Sequence, residues 1–194
     1  MSIEQRITVI SNLPMQIFQK TFEYPFIMHD LSVHFSFYDT SDIQSAFDQD
    51  STFRTDLVVV LINFEEQYPH IYMSNIDAGK ANDEVIRHAQ QFSIEVYTRI
   101  RENTSAPVLW FGLEDYYVTL DYVFGTHYRR PINVDAINNQ VSTIMSEKDA
   151  FVDLKRVIAR IGFKAAFNPK WMTMWGMPYS ERCAEELGNE LYKY

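Results

Sequence analysis

Six consecutive apolar residues, Leu57-Val58-Val59-Val60-Leu61-Ile62, stand between Asp56 and Asn63. The run is too short for a typical helix and apolar on both faces, which predicts a central strand in a parallel sheet covered on both sides. Shorter runs of the same kind flank it. Ile7-Thr8-Val9-Ile10 breaks into Ser-Asn-Leu-Pro and predicts a first buried strand. Val33, Phe35 and Phe37 alternate with His34, Ser36 and Tyr38, predicting a half-buried edge strand. Residues 107–112 and 150–154 predict a fourth strand and a short fifth. Between them the spacing changes to that of helices: Met15, Ile17, Phe18 and Phe22, then Ile43, Ala46 and Phe47. Val85, Ala89, Phe92, Val96 and Ile100 predict an amphipathic helix of about five turns. Val134, Ile137, Val141, Ile144 and Met145 mark another, residues 155–161 a helix closed by Gly162, and Ser180 caps a last one running to Leu191.

Strands alternating with helices predict an α/β fold of three layers, α/β/α, around a parallel sheet. The reading adopted for it is a five-stranded, flavodoxin-like sheet of order 2-1-3-4-5. No repeat, linker or charge block divides the chain, so residues 1–194 are expected to form one domain. Ligands in such sheets sit outside the carboxyl ends of the strands. The segments to search are therefore 11–14, 63–79, 112–131 and 163–179, with Asn168 to Pro178 expected as a loop.

Composition narrows the classes. The apolar share is 46%, with 14 Phe, 12 Tyr and 3 Trp, enough for a core that needs neither disulfide nor structural metal. Seventeen basic against 26 acidic side chains, a net charge of −9, leave no basic excess for nucleic acid. The longest apolar run is far below the roughly 20 residues that span a bilayer, so no membrane partner is expected. A single cysteine, Cys183, and no secretory leader fit a cytoplasmic location. Oligomeric state is left open.

Candidate chemistry is sparse. Neither a dinucleotide fingerprint nor a P-loop occurs, and the five histidines show no metal-ligand spacing, so no cofactor or metal is expected. Asp48-Gln49-Asp50-Ser51-Thr52 has the spacing of aspartate-nucleophile phosphatases, but Gln44-Ser45-Ala46-Phe47 before it is no strand, which favours a chance match. Ser11 and Asn12 end the first strand, where a nucleophilic serine would sit. Asn63 after the central strand is either an amide donor for an oxyanion or a turn residue. His127, in the polar and aromatic segment after the fourth strand, is either a base or a surface histidine. Arg129 and Arg130 beside it could grip an anion or form a solvated turn. Trp171-Met172-Thr173-Met174-Trp175 either lines a ligand groove or caps the core. There is no G-x-S-x-G elbow.

Four patterns, in order, resemble one family. They are Ile7-Thr8-Val9-Ile10-Ser11-Asn12, then the Asp50 to Val60 entry to the central strand, then Asn133 to Asn138, and finally Phe167-Asn168-Pro169-Lys170-Trp171 through Met177-Pro178-Tyr179-Ser180. Together they resemble the amino-terminal SGNH-hydrolase-like domain of FkbH-like proteins, the last pattern being the specific one. The resemblance implies a biosynthetic protein that acts on or docks an acyl or carrier-protein-bound intermediate, with an acyl carrier protein or a biosynthetic enzyme as partner. The phosphatase-type domain with which that family loads glyceryl units has no counterpart here, so glyceryl transfer does not carry over. Active SGNH hydrolases resemble G-D-S at the first strand and D-x-x-H near the end. An ungapped match puts Asn12 at the nucleophile, a one-residue shift puts Ser11 there, and Asn168-Pro169-Lys170-Trp171 holds neither the Asp nor the His. A catalytic version would use Ser11 as nucleophile, Asn63 as oxyanion donor and His127 as base, with Trp171, Trp175 and Arg129 holding the ligand. The competing expectation is a catalytically degenerate binding module using the same crevice.

Overall fold

The computed structural model of the chain describes residues 4–48, 55–63, 78–114 and 134–194. Strand β1 (Glu4–Ser11) leads through a 3-10 turn (Met15–Phe18) into α1 (Gln19–Ile27) and β2 (Ser32–Tyr38). Then come α2 (Ile43–Asp48), β3 (Leu57–Leu61), the long α3 (Ala78–Asn103) and β4 (Val108–Phe111). The remainder is α4 (Val134–Ile144), β5 (Ala150–Val152), α5 (Leu154–Ile161), the single turn α6 (Phe163–Ala166), α7 (Pro169–Trp175) and α8 (Glu181–Leu191). All four strand pairings are parallel and the order is β2-β1-β3-β4-β5. This is the expected flavodoxin-like sheet.

Because side chains alternate across a strand, each inner strand feeds two cores. Ile7, Val9, Val59, Leu61, Leu109 and Phe111 face one layer, with Phe22 and Phe26 of α1, Val157 and Ile158 of α5, and Cys183 and Leu187 of α8. Ile10, Val58, Val60, Val108 and Trp110 face the other, with Ile43 of α2, Val96 and Ile100 of α3, and Ile137 and Val141 of α4. The uniformly apolar β3 is thus apolar because both its faces are covered.

Cys183 lies in the first core with no exposed surface. Burial, reinforced by the charges of Glu114 and Glu186, pushes its thiol up to about 12. The thiolate is the reactive form. A disulfide-exchange reagent is therefore expected to find no thiol in the folded protein at neutral pH and one per chain after unfolding. Rapid modification of the native protein would show that α8 does not seal this core.

At the opposite end of the sheet from the strands' carboxyl ends, a buried carboxylate ties three elements together. The Asp149 side chain has no exposed surface. It accepts hydrogen bonds from the Val108 amide (2.8 Å), the Tyr97 hydroxyl (2.7 Å) and both the amide (3.0 Å) and hydroxyl (2.6 Å) of Ser146. The Arg101 guanidinium lies 3.5 Å away and donates to the Ala106 carbonyl at 2.7 Å. Burial raises the carboxyl's pKa, but the bonds from Ser146, Tyr97 and Val108 outweigh it and leave Asp149 below the usual range.

Three expectations need correction. The first helix begins as a 3-10 turn and then runs to Ile27, past Pro25. The fifth strand stops at Val152, since Asp153 caps α5 by accepting from the Lys155 amide. The stretch from Asn168 to Pro178, expected as a loop, contains the helix α7. Its signals were in the chain: Asn168 is the N-cap, Pro169 stands at the first helical position, and Gly176 takes the left-handed conformation (φ +69°) that ends a helix.

Candidate functional site

The carboxyl ends of β1 and β3 are clamped by one side chain. Asn12 Nδ2 donates to the Asn63 carbonyl at 2.6 Å, and Asn12 Oδ1 accepts from the Asn63 amide at 2.8 Å. Both ends of the Asn12 amide are thus used in tying the end of β1 to the end of β3. A second clamp repeats the device one strand over. Asn138, on the first turns of α4, accepts from the Leu113 amide at 2.7 Å and donates to the Leu113 carbonyl at 3.0 Å. Gly112 makes room for it: a Cβ there would stand 2.6 Å from Phe151 Cζ and 3.2 Å from Asn138 Oδ1. An amide is the one short side chain that can donate and accept in the same plane, which is what an unpaired backbone N–H and C=O at a strand end require.

Ser11 is 4% exposed, and its hydroxyl oxygen accepts the Leu13 amide at 3.1 Å, a local turn bond. It nevertheless borders a cleft of about 680 Å³, with Asn12, Gln16, Tyr38, Asp39 and Trp175 among its walls. Asn63 is buried at 4% exposure and lies against Asn12, with its backbone engaged as described. His127, Arg129 and Arg130 lie outside the described residues. Of the histidines inside them, His29 stacks on Tyr192 at 4.4 Å, His34 pairs with Arg6 in the middle of β2, and His88 is on α3. None of the three lines the cleft.

The closing segment is a compact supersecondary unit in which Phe167, Asn168, Trp171, Tyr179 and Ser180 each have a structural task. Phe167 and Tyr179 form an antiparallel bridge and their rings lie 5.9 Å apart. The Asn168 amide donates to the Pro178 carbonyl at 2.8 Å, and the Asn168 side chain accepts from the Trp171 amide at 3.2 Å. Ser180 caps α8 by accepting from the Cys183 amide at 3.2 Å. Trp171 packs on Phe18 at 5.6 Å and on Trp175 at 5.6 Å. Trp171 seals the core edge, while Trp175 stands 51% exposed.

Trp175 and Pro14 also border a second hollow of about 630 Å³, walled by Ile17, Phe18, Thr21, Trp171 and Glu181. Trp175 is therefore the ridge between a polar cleft and an apolar groove. The sequence singled out Trp175, but not Asp39, Gln16 or Ile17, which follow strands and turns without any motif.

Asp48, first residue of the phosphatase-like spacing, is the last residue of helix α2 rather than the end of a strand, and Asp50 lies outside the described residues. No group of three or more His, Cys, Asp or Glu able to hold a metal occurs among the described residues. No described helix is long and apolar enough to cross a membrane.

No family profile matches the chain, and no curated protein does. A solved structure does: the N-terminal part of the protein BF1531 from Bacteroides fragilis, described as containing a phosphatase domain complexed with Mg. The TM-score is 0.70 at 10% identity, covering 98% of this chain and 51% of that one. At that identity the likeness establishes the fold, and this chain spans about half the length of that structure.

Proposed function

We propose that this chain is a catalytically degenerate SGNH-like binding domain of the FkbH-like kind, which docks an acyl or carrier-protein-bound intermediate across the cleft and groove. The observation that carries the reading is the occupation of all three positions the chemistry would need. Asn12, at the ungapped nucleophile position, spends both ends of its amide on the Asn63 backbone. Asn168, where an active enzyme resembles Asp, caps a helix, and Trp171, where it resembles His, packs on Phe18. Ser11 offers a hydroxyl already engaged with Leu13 and almost wholly buried. A serine becomes a nucleophile only when a base can take its proton, and no described histidine borders its cleft. What the site retains is shape: a polar hollow and an apolar one joined at an exposed indole.

Binding is tested by titrating the protein with an S-acyl pantetheine thioester and following tryptophan fluorescence. The expected result is a saturable change whose affinity Trp175→Ala lowers roughly tenfold or more, as for truncation of a central aromatic anchor. Trp110 is fully buried, so the signal reports the other two indoles. No saturable change, or one unaltered in Trp175→Ala, would overturn the reading.

A further inference from the structure

The charges around this bipartite hollow say what kind of ligand head it takes. Among the described residues no Lys, Arg or His lines either the cleft or the groove, whereas Asp39 lines the first and Glu181 the second. Glu181 also borders a neighbouring hollow together with Lys20 and Arg182, so its field is partly offset. Asp39 is not offset in that way. Its two hydrogen bonds, from the Ser41 amide at 2.8 Å and the Ser41 hydroxyl at 2.6 Å, both go to Oδ1. Oδ2 accepts none from the described residues. Phe37, Tyr38 and Trp175 border the same cleft, and aromatic faces attract cations.

From this arrangement we infer that the ligand carries a protonated aliphatic amine on a short apolar chain, the ammonium in the cleft against Asp39 and the chain crossing Trp175 into the groove of Ile17, Phe18 and Trp171. The inference rests on the binding reading above and adds the chemical class of the ligand. A carboxylate or phosphate head in that cleft would meet Asp39 as a like charge. A neutral head would lose the ion pair and the ring contact. The chain's net charge of −9 also favours encounter with cations over anions.

Three probes of equal chain length separate these cases: hexylammonium, hexanol and hexanoate, each titrated at low ionic strength with tryptophan fluorescence as the readout. Hexylammonium is expected to bind about three- to tenfold more tightly than hexanol, and hexanoate more weakly than either. The preference should shrink in half-molar salt and in Asp39→Asn, whose side-chain oxygen can still accept from Ser41 and so keep the turn. Hexanoate binding as well as hexylammonium would overturn the inference. So would a preference that survives Asp39→Asn, or no binding by any of the three. Saturable thioester binding without an amine preference would remove this inference alone, whereas failure of the thioester titration removes the binding reading beneath it.

Discussion

Asp149→Ala is expected to cost about 3–5 kcal/mol, the usual loss when one partner of a buried charged network is removed. For a chain of this size that lowers the melting temperature on the order of 10 °C. The loss has identifiable parts. The Val108 amide at the start of β4, the Tyr97 hydroxyl on α3 and the Ser146 amide and hydroxyl after α4 all lose their acceptor in one step. Arg101 loses its counter-charge while Tyr97 still packs 5.6 Å from its guanidinium carbon. Asp149→Asn keeps the shape and one good acceptor, so about 1–3 kcal/mol is expected instead. The pH dependence follows from the direction of the shift. A carboxyl held below its ordinary value stabilises the fold fully above that value, and the contribution fades as pH falls through the lower, folded one. Wild type should therefore lose stability more steeply than Asp149→Asn does as pH falls below about 4, the ordinary aspartate value. Chemical denaturation of the three proteins across that range is the measurement. A loss under 1 kcal/mol in Asp149→Ala would show that the network contributes little.

Asn12→Ala is the second large effect, about 2–4 kcal/mol, because it removes the Asn12 hydrogen bonds to both the N–H and the C=O of the buried Asn63. Asn12→Asp should do no better. Its carboxylate can still accept from the Asn63 amide, but the oxygen replacing Nδ2 faces the Asn63 carbonyl 2.6 Å away in the wild type. Ser11→Ala removes a single local bond to the Leu13 amide and is expected to cost about 1 kcal/mol. This ordering, Asn12 well above Ser11, is what a structural clamp predicts. Equal stability of wild type and Asn12→Ala would mean the amide is free for another task.

Much of the scaffold was readable because its signals are local and periodic. Leu57 to Ile62 can only be a strand buried on both faces, and the three- and four-residue spacing from Ala89 to Ile100 can only bury one stripe of a helix. Strand–helix alternation predicted the covered parallel sheet, whereas the order 2-1-3-4-5 came with the flavodoxin-like reading and not from the alternation itself. The site was less legible for a physical reason. Asn12 and Asn138 act on backbone groups 51 and 25 residues away, and nothing in a sequence marks an amide as a clamp rather than a catalyst. Asp39 enters the cleft only because β2 lies beside β1 as the edge strand. The helix α7 was hidden by its composition: Trp, Met and Thr read as an irregular aromatic loop, although Asn168, Pro169 and Gly176 are the cap, first-turn and terminator residues of a helix. The closing pattern that carried the family resemblance proved to be the recipe for that capped unit, and so speaks to architecture before it speaks to chemistry.

Whether the domain binds without reacting is tested most directly by incubating it with a fluorophosphonate and weighing the intact protein. An unshifted mass is expected for wild type under conditions that fully label an active serine hydrolase. A stoichiometric adduct that Ser11→Ala abolishes would contradict it, and would make Ser11 a working nucleophile served by a base outside the described residues.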